Sequence, residues 1–143
     1  MTVIEPDRIG QILMLMDRDF QERLAQDLTQ RGVRGVSRRH RSVFLYLGQH
    51  GASRSVDLAQ AAGIRPQSMM TIVNELEELG MVKRRPDPND SRAKLIEFTA
   101  VGRQFIDELR QSTQAVYQQY ADLVGEKQMQ SVFKQLNRLV TAT

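Results

Sequence analysis

The chain has no cysteine among its 143 residues. That absence excludes disulfide cross-links, thiolate nucleophiles, cysteine–zinc sites and thiol-based oxidant sensing together. Long apolar runs are missing too. No stretch approaches the roughly 18 apolar residues of a membrane span, and the N-terminus lacks the charged-then-apolar order of a secretion signal. The expectation is a cytoplasmic protein with no membrane partner. Histidine occurs only at His40 and His50, whose separation matches no local metal-binding motif. There is no P-loop, Gly-x-Gly-x-x-Gly, Gly-x-Ser-x-Gly or His-Glu-x-x-His. The acids Glu75, Glu77 and Glu78 read as the exposed end of a helix, not a catalytic dyad. No enzymatic activity, metal or cofactor is expected.

Neither sign of charge dominates: 20 Lys and Arg oppose 17 Asp and Glu, a net charge of +3. The distribution says more than the total. Residues 33–98 hold eleven basic and seven acidic side chains, whereas the first 32 residues hold four and six. A basic middle between more neutral ends suggests one surface aimed at a polyanion.

What is present is mostly helical periodicity. Ile9, Ile12, Leu13, Met16, Phe20, Leu24 and Leu28 recur every three or four residues, which predicts a long amphipathic helix closed by Gly32 and Gly35. Ser37 is a good N-cap for a second helix running to about Gln49, with Val43, Phe44 and Leu47 as its buried stripe. Ser55 can cap a short third helix carrying Val56, Leu58, Ala59 and Ala62. Gly63 ends it, and Pro66 suits the first turn of a fourth. Met69, Ile72, Val73, Leu76 and Leu79 form the core face of that helix, which Gly80 stops. Ser55–Gly80 is therefore a helix-turn-helix.

Met81 to Arg85 then reads as a strand, Pro86-Asp87-Pro88-Asn89-Asp90 as loop chemistry, and Lys94 to Phe98 as a second strand. The hairpin makes the unit a winged helix with a basic ribbon. From Thr99 a helical pattern continues to about Leu123, Gly125 interrupts it, and a last helix carries Met129, Val132, Phe133, Leu136, Leu139 and Val140 near heptad spacing. The terminal helices hold more apolar surface than a small middle lobe can cover, so packing against a second copy is the economical solution. The fold class is mainly α with a small β-hairpin wing.

Asp90-Ser91-Arg92 followed by Phe98-Thr99-Ala100-Val101-Gly102 resembles the wing signature of the MarR family of winged-helix transcription regulators. Leu58-Ala59, Leu76-Glu77, Gly80, Val82 and Arg84-Arg85-Pro86-Asp87-Pro88 fall in the matching order, and the resemblance covers roughly residues 8–140. Phe98 stands where the family usually has Leu, Ser91 where many members carry a second Arg, and Arg41 in a region often given to an aromatic residue. The resemblance implies a single domain over 1–143, with a winged-helix DNA-binding lobe at 34–99. Residues 1–33 and 100–143 would form the helical dimerisation region.

The resemblance places the Pro66–Glu78 helix in the major groove. The residue chemistry agrees. Gln67 can pair with adenine, Ser68 and Thr71 can donate or accept, and Asn74 shares their face. Arg65 is a candidate base or phosphate contact. Arg92 resembles the arginine that members insert into the minor groove, with Asp90 as its orienting partner. Lys83, Arg84 and Arg85 alternate on a strand and cannot all face DNA, so one is expected to pair internally. Ser37, Arg38 and Arg39, with Arg54 and Ser55, open two helices and suit backbone contacts, although a solvated face serves each arginine equally well.

Family members often bind small phenolic or anionic effectors. The resemblance offers Met16, Phe20, His40, Arg41, Phe44 and Tyr117 as lining residues, while Met and Phe at helical spacing equally suit a core. The functional expectation is a homodimeric, sequence-specific regulator of transcription, a repressor of a pseudo-palindromic double-stranded DNA site released by an effector. A protein-interaction module and a regulator without effector are the alternatives.

Overall fold

The computed structural model describes residues 5–142. A one-turn 3-10 helix (Pro6–Arg8) leads into α1 (Ile9–Gln30). Then come α2 (Arg38–His50), α3 (Ser55–Ala62) and α4 (Pro66–Glu78). An antiparallel hairpin of β1 (Val82–Asp87) and β2 (Asp90–Phe98) follows, then α5 (Ala100–Val124) and α6 (Glu126–Thr141). The order matches the expected fold class. The chain divides into two compact units: residues 31–109, and the chain ends up to Gln30 and from Arg110. Helix α5 begins in the first and finishes in the second.

The core of the 31–109 unit is built on Phe44, which has no exposed surface. Its ring stacks on Phe98 at 5.5 Å between centroids and meets Phe105 at 4.4 Å. Val43 and Leu47 of α2, Leu58 and Ala59 of α3, and Met69, Val73 and Leu76 of α4 are all buried. Each large apolar side chain so buried contributes about 1.5–3 kcal/mol against conformational entropy. Between α3 and α4, Gly63 takes φ 69°, a left-handed cap that a side chain would oppose. Pro66 occupies the first turn of α4, where its missing N–H costs nothing.

Three local readings change. Ser55 is the first residue of α3 rather than its cap; Arg54 holds the cap position, and the Ser55 hydroxyl donates to Met70 Sδ at 3.4 Å. Val56 and Leu79 are exposed rather than core. The hairpin is longer and its turn tighter than the Pro-Asp-Pro-Asn-Asp run suggests. Pro86 pairs with Lys94, and Asp87 pairs with Asp90 around a two-residue turn. Proline is tolerated because β1 is an edge strand. Ser91, Arg92 and Ala93 have no partner on β1 and form a bulge. Side chains replace the missing ladder bonds: Asn89 N donates to Asp87 Oδ1 at 2.9 Å, and Arg92 N to Asp90 Oδ1 at 3.0 Å. The other side of β2 is bridged by Ser53, whose N and O pair with Ile96 at 3.0 and 2.8 Å.

In the unit made of the chain ends, Leu24, Leu28, Val116 and Ala121 are buried. Asp19 Oδ2 accepts from Tyr120 Oη at 2.6 Å and Arg23 Nε at 2.7 Å, while Arg23 lies 5.1 Å above the Tyr120 ring. Burial, and then the carboxylate beside it, push the Tyr120 hydroxyl up to about 12. Ser112 Oγ donates to Asp27 at 2.6 Å. The first half of α1 differs from a core helix: Ile9, Ile12, Leu13 and Met16 are exposed, as are Val132, Phe133, Leu136, Leu139 and Val140 of α6.

Candidate nucleic-acid interface

Helix α4 buries Met69, Ile72, Val73 and Leu76, so its helical period turns Gln67, Ser68, Thr71 and Asn74 outward, and all four are exposed. Thr71 Oγ1 donates back to the Gln67 carbonyl at 3.3 Å, which leaves its methyl available to an apolar partner. Arg65 is exposed at the α4 cap position, beside unpaired backbone amides that favour an anion. On the wing bulge, the Arg92 side chain is 93% exposed, with Nε 3.6 Å from Asp90 Oδ1. Asp90 thus fixes the backbone of the bulge while leaving the guanidinium in solvent.

Other basic residues are consumed inside the lobe. Arg54 donates through Nε and Nη2 to Asp87 Oδ2 at 2.9 and 2.7 Å, tying the start of α3 to the wing. The Asn89 amide and then Arg54 hold the Asp87 carboxyl below the usual carboxylate range. Arg84 donates to Glu77 Oε1 and Asn74 Oδ1, both at 2.7 Å, tying the wing to α4. Arg85 donates to Glu97 Oε2 at 2.8 Å, and Lys83 lies 3.7 Å from the same carboxylate. All three strand cations are therefore paired, where one was expected. Arg85 and then the neighbouring Lys83 charge depress the Glu97 carboxyl.

At the start of α2, Ser37 N donates to His40 Nδ1 at 3.0 Å. That bond leaves the ring proton on Nε2, which donates to Glu75 Oε2 at 2.7 Å. Arg39 Nη2 reaches the same oxygen at 2.6 Å. Glu75, Glu77 and Asp87 are the residues that sequence reasoning missed. Their partners lie 7 to 36 positions away, beyond the reach of any local pattern.

The proposed effector lining fares differently by residue. Phe44 is sealed in the core, and both nitrogens of buried His40 are bonded. Arg41 is buried, and burial and then the Arg38 charge lower its guanidinium affinity for a proton. Met16 is exposed and Phe20 half-buried, while Tyr117 meets Phe133 edge-on at 6.0 Å. Among the described residues no cluster of His, Cys, Asp and Glu could hold a metal, and no helix is long and apolar enough to cross a membrane.

Residues 34–93, from the approach to α2 through to the wing bulge, match the MarR family. Over that stretch the chain is similar to the MarR family. Over 98 residues, 68% of the chain, it is 28% identical to the HTH-type transcriptional repressor IacR of Pseudomonas putida, and the match spans 56% of that relative's length. The crystal structure of apo MarR from E. coli shares the fold with a TM-score of 0.79 at 16% identity, covering 96% of this chain and 98% of that one. NadR, solved in complex with 4-hydroxyphenylacetate, superposes with a TM-score of 0.71 at 22% identity, over 100% and 98% of the two chains.

The stretch that resembles the MarR wing signature has a physical reading in this lobe. Thr99 Oγ1 accepts from Gly102 N at 3.1 Å and so caps α5, and its hydroxyl donates to the Gly80 carbonyl. A Cβ at Gly102 would lie 2.0 Å from the Met81 carbonyl oxygen. Glycine is required there by the close approach of α5 to the turn between α4 and β1.

Proposed function

We propose that this protein is a transcription regulator that binds a pseudo-palindromic site in duplex DNA as a homodimer and represses transcription. The observation that carries this is the outward polar row of α4, Gln67, Ser68, Thr71 and Asn74, in the same lobe as a wing arginine 93% exposed. The row suits hydrogen bonding to base edges in the major groove. The arginine suits a narrow minor groove. Arg65, Ser37, Arg38 and Ser55 contribute backbone contacts, whereas Arg54, Arg84 and Arg85 act chiefly by bracing the lobe. The uncovered apolar residues of α1 and α6 support a dimer, since a monomer would leave them in water. Similarity to a relative named as a transcriptional repressor supports the repressor reading.

Release by a small phenolic or anionic effector is part of the proposal. NadR, solved in complex with 4-hydroxyphenylacetate, supports this reading, and Met16, Phe20 and Tyr117, all in the unit of the chain ends, remain the candidate contacts. An effector relieves repression only if it binds the DNA-incompetent arrangement more tightly. The setting is the cytoplasm.

The test is selection of bound sequences from random duplex DNA at two salt concentrations. The expected result is an inverted repeat with half-sites roughly 34 Å apart, about one helical turn. Affinity should fall as salt rises, because cations on the protein displace counterions from phosphate. Weak, salt-sensitive binding with no enriched motif would instead favour the interaction-module reading.

A further inference from the structure

We propose that Asn74 reads its base pair as a hydrogen-bond donor, and that Arg84 sets this polarity from the wing strand. The proposal rests on the DNA-reading role of α4 given above.

An asparagine amide offers an acceptor oxygen and a donor nitrogen, and adenine recognition needs both: the oxygen takes the adenine N6 proton while the nitrogen donates to N7. In this lobe the oxygen is already engaged. Arg84 Nη2 donates to Asn74 Oδ1 at 2.7 Å. A guanidinium has no acceptor, so the amide orientation is chemically forced: oxygen towards Arg84, nitrogen away. Arg84 is itself held, because its Nη1 donates to Glu77 Oε1 at 2.7 Å, one turn further along α4. Its side chain is 24% exposed, against 42% for Glu77, so the bridge lies partly out of solvent. The charge beside Oδ1 opposes the approach of a second N–H, the positive end of an adenine or cytosine amine. The same charge polarises the Asn74 NH2 group and strengthens its donation.

The base edge that fits is therefore all acceptor. Guanine presents N7 and O6 side by side, whereas thymine offers O4 alone beside a methyl group, so guanine is the base that fits. Arg84 is here a positioning residue. It touches no base, and without it Asn74 would regain the two-way pairing that suits adenine.

The experiment is selection from random duplex DNA with the full-length wild type, Asn74→Ala, Arg84→Met and Glu77→Gln. Comparing wild type with Asn74→Ala identifies the base pair that depends on Asn74. At that pair the wild type is expected to prefer guanine over adenine by about tenfold, within the range of one well-placed base contact. Arg84→Met keeps the apolar stem and removes the donors, and should bring that preference close to parity while other positions keep theirs. A merely structural loss would lower affinity at every position alike. Glu77→Gln loosens the anchor without removing Arg84, and should shift the same position partway; it decides the matter if Arg84→Met fails to fold.

An adenine preference in the wild type, no position sensitive to Asn74→Ala, or a guanine preference unmoved in the variants would each overturn the inference. A wild type that enriches no motif would overturn the DNA-reading function itself, a distinguishable result.

Discussion

Arg92 and Arg84 carry the same charge, only eight positions apart, and their environments give them opposite tasks. Arg92 stands on an unpaired bulge with its side chain in solvent; Arg84 is spent on Asn74 and Glu77. Replacing Arg92 with Ala should weaken operator binding by about 1–3 kcal/mol with an unchanged melting temperature. Unchanged affinity would remove the wing from the interface. At this scale the sequence revealed chemistry but not pairing. It marked Arg54, Arg84 and Arg85 as contacts for DNA. It could not show that Asp87, Glu77 and Glu97 would neutralise them, because those acids come close only once the hairpin and helices have packed.

Periodicity explains why the helices were legible. Buried Met69, Ile72, Val73 and Leu76 follow the spacing of a helix face, and the exposed row follows from the remainder. The hairpin was legible in kind but not in extent. Two prolines among five residues read as a broad loop, whereas side-chain acceptors at Asp87 and Asp90 let the ladder reach a two-residue turn. Gly102 is the tightest joint between elements. Gly102→Ala should cost at least about 1–3 kcal/mol, the usual penalty of overpacking, because the Met81 carbonyl is backbone and cannot swing aside. Thermal melts check this, and a variant as stable as the wild type would refute the contact. Removing α6 by truncation after Gly125 tests the other exposed element. Sedimentation should show the loss of the proposed dimer; a truncated dimer of undiminished stability would place the interface elsewhere.

Across the whole molecule, the apolar residues left uncovered on α1 and α6 were foreseeable from their number, since one small lobe cannot bury them all. The Asp19–Arg23–Tyr120 cluster was not, because Tyr120 lies about a hundred positions from Asp19. Its effect on stability has a definite sign. The Tyr120 hydroxyl, raised to about 12 in the fold, compares with about 10 in an unfolded chain. The stabilisation is complete below pH 10 and disappears as pH rises through 12. Melts across that window should show the wild type losing stability faster than Tyr120→Phe; parallel curves would refute the linkage. The outer margin of β1 bears on a different property. One side of that strand is unpaired, the geometry through which sheets recruit strangers. Its sequence Val-Lys-Arg-Arg-Pro-Asp withholds one amide at Pro86 and spans only six residues. The molecule can therefore be crowded, as a regulator gathered along a chromosome would be, without its wings knitting into a shared ribbon.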